Sequence, residues 1–178
     1  MGIKKEKNNK NKPRAAAYSK NRIEQAARRL LEPEIAELGY EIWDLEYYND
    51  GQWQLEITIE NPSGIAISFE DCEKVTRAVT PLLDREDPIE NSYCLAVGSP
   101  GLNRELKNAG HLKKYIDKQV KVKLFAKNEQ AGDKSFDAVL KEAGGPGSDF
   151  VFELASGANL TLKKNEIAHI YARDEIGI

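Results

Sequence analysis

The chain has 178 residues, 40% hydrophobic and 31% charged, enough to bury a core as one domain or two small ones in a well-solvated protein. No run of about 18 apolar residues occurs, which excludes a membrane-spanning helix. The net charge of −3 hides opposed parts: residues 1–22 hold eight Lys/Arg against Glu6, a local +7, leaving −10 for the rest.

The N-terminus is basic but has no apolar segment behind it, so no secretory signal is expected. Glu6 stands where a myristoylation pattern needs Ser or Thr, which argues against a lipid anchor. A second basic stretch runs from Arg104 to Lys141, with ten Lys/Arg and five Asp/Glu, and the segment between the two is strongly acidic. Such polarity points to a charged partner rather than a small neutral substrate, although solvated faces are the plainer reading of any one charge run. Cys72 and Cys94 have no ligand cluster near them, so a reduced, cytoplasmic protein is expected, with a bridge between the two as the alternative.

Residues 1–18, "MGIKKEKNNKNKPRAAAY", carry too little apolar content to offset the entropy of ordering and are expected to be a disordered basic tail. From Ser19 the pattern changes. Ile23, Ala26, Ala27, Leu30, Leu31, Ile35 and Leu38 recur at helical spacing, with Pro33 expected to kink or restart the helix and Gly39 to stop it. "YEIWDLEYY" and "WQLEITIE" read as strands of a hairpin joined by "NDGQ". Ser68 and Asp71 have capping-box spacing ahead of a helix expected to bury Phe69, Cys72, Val75, Val79, Leu82 and Leu83. "DREDP" ends that helix and "YCLAV" is a short buried strand. The order helix, strand, strand, helix, strand predicts a three-stranded sheet with two helices against it, spanning residues 19–107.

Residues 108–178 read differently. "AGHLKKYI" predicts one or two helical turns leading in. "QVKVKLF", "FDAVLKEA", "DFVFELA", "NLTLKKNEI" and "AHIYA" follow as closely spaced strands with Gly- and Asp-bearing turns between them. That pattern predicts a small β-barrel of the SH3-like or Sm-like kind, so the whole is an α+β protein of two domains. The turn Ser99, Pro100, Gly101, Leu102 and Asn103 lies at the seam, with Leu102 and Leu106 expected to anchor on apolar surface.

Catalytic patterns are missing from this sequence. "GSPG" is followed by Leu102 and Asn103 rather than Lys and Ser/Thr, so it is no P-loop, and "GGPG" at 144–147 lies between two strands. Ser99 directly follows Gly98, whereas a nucleophile elbow needs one residue between them. His111 and His169 fall in different elements, and no His/Cys/Asp cluster has metal-ligand spacing. No catalytic residue, metal or cofactor is therefore expected. Binding signals are stronger. "HLKKYIDKQVKVKL" interleaves Lys113, Lys114, Lys118, Lys121 and Lys123 with Tyr115 and apolar residues. Strand alternation puts Lys121 and Lys123 on one face and Val120, Val122 and Leu124 on the core side. Such lysines suit nucleic-acid phosphates, and equally suit a strand edge protected from aggregation.

"ISFEDCEKVTRAV", "LLDREDPI", "YCLAVGSPGLNREL" and "HLKKYIDKQVKVKL" follow one another at close spacing, and the chain resembles the RimP family of bacterial ribosome maturation factors. The family hallmark runs roughly Leu-Glu-Val-Ser-Ser-Pro-Gly-Leu-Asp-Arg-Pro-Leu. Val97, Ser99, Pro100, Gly101, Leu102, Arg104 and Leu106 match it, while Ala96, Gly98, Asn103 and Glu105 depart from it. The resemblance extends over nearly everything beyond the tail. It implies a KH-like first domain, an SH3-like second domain, and a non-enzymatic role in maturation of the small ribosomal subunit. The partners it implies are the immature subunit, its 16S rRNA and ribosomal protein S-twelve, bound by a cytoplasmic monomer. Lys113, Lys114, Lys121 and Lys123 are then the candidates for rRNA phosphates, with Arg104 at the seam. A general RNA-binding module, or an enzyme acting on rRNA or a nucleotide, are the alternatives.

Overall fold

The computed structural model describes residues 20–145 and 149–173, together with the backbone of residues 2–5. The chain divides into two compact units, Met1–Pro100 and Gly101–Ile178. Among the described residues the first holds β1 (Gly2–Lys5), α1 (Lys20–Glu37), β2 (Glu41–Asn49), β3 (Trp53–Glu60), α2 (Phe69–Glu86) and β4 (Tyr93–Gly98). The second holds α3 (Ala109–Lys114), β5 (Gln119–Leu124), β6 (Ser135–Glu142), β7 (Phe150–Leu154), β8 (Asn159–Leu162), a single 3₁₀ turn at Lys164–Glu166, and β9 (Ile167–Ala172). The fold is α+β, and no helix among the described residues is long and apolar enough to cross a membrane.

The helical periodicity of α1 puts Ile23, Ala27, Leu31 and Ile35 on one buried line, but Ala26 is exposed. The helix runs on through Pro33, where a break or kink was expected from its missing N–H. Pro33 sits on the exposed side, so the Arg29 carbonyl that loses its partner lies toward solvent. The stop comes at Gly39, with φ of +90°, a conformation that L side chains adopt at a cost.

In α2 the capping box is complete: Ser68 Oγ accepts from Asp71 N–H at 3.2 Å, and Asp71 Oδ2 accepts from Ser68 N–H at 2.8 Å. Val75, Thr76, Val79 and Leu83 are buried and Cys72 and Leu82 half-buried, whereas Phe69 is 59% exposed. The apolar stripe of α2 thus joins the core only from Cys72 onward, and Phe69, in the first turn, lies ahead of it. Both helices contribute to one cluster with Leu45, Tyr47, Leu55, Ile57, Ile59, Tyr93, Leu95 and Val97 of the sheet.

The first sheet is ordered β1-β4-β3-β2, with β3 and β4 parallel and the other pairs antiparallel. It has four strands where three were expected, because Gly2–Lys5 pairs with β4 from Gly2↔Ala96 to Lys5↔Tyr93. Low apolar content does not prevent this, since an open edge strand offers backbone donors and acceptors to any extended segment. The remainder of the expected tail, residues 6–18, lies outside the described residues. At the far edge, β2 is capped by side chains of α1. Glu24 Oε1 accepts from Tyr47 N–H at 2.8 Å, and Arg28 donates to the Ile42 carbonyl at 3.3 Å.

The second sheet is antiparallel throughout, in the order β8-β7-β6-β5-β9. Val120, Val122, Leu140, Phe152, Leu160, Leu162 and Ala172 form its buried side. Residues 104–106 extend it beyond β9. Glu105 bridges antiparallel to Tyr171, Ala172 N–H donates to the Arg104 carbonyl at 2.8 Å, and Leu106 N–H donates to Ile170 at 2.8 Å. The division between the units accordingly falls at Pro100, earlier than the expected boundary at residue 107, because these backbone bonds commit Arg104–Leu106 to the second sheet. Leu106 is buried there, while Leu102 is 49% exposed.

Candidate nucleic-acid interface

In β5 every second side chain is buried, leaving Lys121 half-buried and Lys123 exposed on the opposite face. Register then decides what flanks them. Lys121 lies opposite Asp137 of β6 and Tyr171 of β9, and Lys123 lies opposite Ser135 and His169. The Lys123 ammonium stands 5.0 Å from the centroid of the Tyr171 ring, a cation–π distance. The rings of His169 and Tyr171 lie 5.8 Å apart at 31°.

Two carboxylates share this face, and each is held by a neighbouring cationic or imidazole group. Arg173 reaches across β5 to Asp137 with a two-point contact, Nε to Oδ1 at 2.9 Å and a terminal nitrogen to Oδ2 at 3.2 Å. Glu105 Oε1 lies 2.5 Å from His169 Nδ1. The fork geometry of Arg173 satisfies both oxygens of Asp137, which curbs its repulsion of an approaching phosphate.

Lys113 and Lys114 project from the last turn of α3 and are exposed. Asn108 fixes this short helix by accepting from His111 N–H at 2.9 Å. His111 is buried, and Lys107 N–H donates to its Nδ1 at 3.2 Å, so its role is to hold the helix start. The pairings that gather Lys121 and Lys123 with Tyr171 do not include α3. Lys118, just before β5, covers the Tyr115 ring at 5.1 Å. Lys141 is engaged by Asp117 at 2.6 Å and Glu153 at 3.7 Å, and the Asp117 contact above all raises its amine pKa.

Arg104 is placed differently from the lysines. It neighbours Glu105, which shares the Tyr171 face, so strand alternation sends the Arg104 side chain to the other side, where it is half-buried. Of the five sequence candidates, the sheet therefore brings together two, Lys121 and Lys123. Tyr171, His169, Asp137, Arg173 and Glu105 complete their surroundings and were not foreseen. The signal for Tyr171 and His169 was the alternation in "AHIYA", but only long-range pairing with β5 gives it meaning.

The turn at Ser99–Asn103 is exposed at Ser99 and Gly101–Asn103, and Gly101 has φ of +70°, which explains glycine after Pro100. Cys72 and Cys94 are free thiols, and burial raises the pKa of Cys72. Among the described residues no three His, Cys, Asp or Glu are grouped to hold a metal ion. Residues 30–103, from within α1 to the turn after β4, match the family model of the RimP N-terminal domain. Over these residues the chain is similar to the N-terminal domain of the RimP family.

Proposed function

We propose that the protein is a non-catalytic assembly factor for the small ribosomal subunit, binding the immature subunit in the cytoplasm as a monomer. The match of residues 30–103 to the RimP N-terminal domain carries this reading. The order helix, strand, strand, helix, strand supports a KH-like description of the first unit, and the five short antiparallel strands support an SH3-like or Sm-like barrel for the second. The turn Ser99–Asn103 is the joint between them. Lys121 and Lys123 are the favoured contacts to 16S rRNA phosphates, with Lys113 and Lys114 as a separate exposed pair. Arg104, half-buried away from the lysine face, is the weakest of the five candidates.

The test is a gradient profile of cells lacking the protein. Free small subunits should accumulate with unprocessed 16S rRNA ends, and a normal profile with normal ends would overturn the proposal. A clear stabilisation by ATP or GTP in a thermal shift would instead favour the enzyme alternative.

A second contact is supported by charge. The acidic segment between the two basic stretches suits a very basic ribosomal protein such as S-twelve, held away from nonspecific RNA until it docks. Binding of S-twelve to the full chain should then weaken steeply with salt. Salt-independent binding, or none, removes this contact.

A further inference from the structure

We infer that the outer face of the β5–β9 pair binds unpaired RNA, stacking nucleobases on Tyr171 and Phe125 while Lys121 and Lys123 hold the flanking phosphates. This rests on the rRNA reading above and goes further, naming the form of RNA and the side chains that meet its bases.

Phe125 directly follows the last residue of β5, just past the register shift at Lys123 and Leu124. Its N–H bonds the Glu166 carbonyl at 3.1 Å, and the residue is 67% exposed. One exposed aromatic residue means little by itself. Here it follows the two lysines of β5, with Tyr171 and His169 on the adjacent strand. Successive outward side chains on a strand are about 6.7 Å apart, a distance comparable to one nucleotide step of an extended strand. Two cations thus lie beside the Tyr171 and His169 rings, with Phe125 just beyond the end of β5, and the two carboxylates on this face are held by Arg173 and His169.

Duplex RNA would use only the lysines, because its bases are stacked inside and its phosphates present no flat apolar partner. Unpaired bases need aromatic rings, and stacking tolerates any sequence because every base has a π-face. An acidic peptide would satisfy the lysines and leave both rings idle. The Lys123 ammonium now over Tyr171 would move to a phosphate as a base takes its place on the ring.

The experiment is fluorescence anisotropy of the full chain with a labelled, unstructured RNA of about ten nucleotides, against its duplex and an abasic ribose–phosphate of equal length. The unpaired RNA should bind at least about fivefold tighter than the abasic chain. Phe125→Ala and Tyr171→Leu should each erase most of that preference, while Tyr171→Phe should keep it. Phe125 is on the surface, so its variant remains informative if Tyr171→Leu folds poorly.

Lys121→Gln with Lys123→Gln should weaken both chains and flatten the salt slope by about 0.7 per lysine. Equal affinity for abasic and unpaired RNA, preference for duplex, or ring variants that change nothing would overturn the inference. If the lysine pair still mattered in that case, the phosphate contact would stand without the stacking. A wild-type chain that binds none of the three would remove both.

Discussion

Asp71 ties three pieces of the first unit together. Its Oδ1 accepts from the Tyr40 hydroxyl at 2.5 Å, its Oδ2 accepts from Ser68 N–H, and its own N–H donates to Ser68 Oγ. The Tyr40 bond foremost, then the Ser68 bonds, lower the Asp71 pKa below the ordinary carboxylate value, against a small opposing effect of burial. A depressed folded value means that the stabilisation is present above about pH 4 and is lost as pH falls through the lowered pKa. Asp71→Asn should lower the urea midpoint at pH 7, and its difference from wild type should shrink below pH 3.

Tyr93 shows the opposite sign. Burial, with Asp84 and Asp87 adding, raises its phenol pKa far above the usual range. The folded state keeps that proton while the unfolded state releases it above about pH 10, so stability should fall as pH climbs past 10. The tyrosinate absorbance of Tyr93 should rise only together with loss of the circular-dichroism signal.

Elements were legible where local pattern and packing agree. The capping box at Ser68 and Asp71 is a spacing rule, and Ser68→Ala should cost about 1 kcal/mol in urea unfolding. In α1 the apolar spacing was strong enough to carry the helix past Pro33. Pro33→Ala restores an N–H for the Arg29 carbonyl on an exposed turn, against some gain in unfolded-chain entropy. A net stabilisation of roughly 1–2 kcal/mol in the same measurement is expected.

Phe69 misleads by periodicity because spacing shows which side of a helix is apolar, not how far along the helix the sheet extends. Gly2–Lys5 could not be read as a strand at all, since its pairing is backbone to backbone with residues some ninety positions away. The lysines of β5 were visible by alternation alone. Tyr171 and His169 were not, because a strand does not name its neighbour.

At the scale of the molecule, each unit has a buried core of its own, one around Leu31, Ile57, Leu83 and Leu95, the other around Val122, Leu140 and Phe152. Leu140→Ala should cost about 2–5 kcal/mol, seen as lost cooperativity in the melting of residues 101–178. An expectation of two domains was readable in the change in strand spacing after the turn. The place of the division was not, because it depends on backbone bonds from Arg104 and Leu106 to a strand near the end of the chain.

The side chains that close β2 bear on how this protein behaves when crowded. Glu24 and Arg28 occupy a backbone donor and a backbone acceptor on the outer rim of the first sheet, and they come from the helix that also fills its core. A second copy arriving rim to rim finds those sites taken, so the sheet cannot template its own continuation there. Continuous pairing along β2 would first require those two side chains to give up their bonds, which blunts self-assembly at this rim.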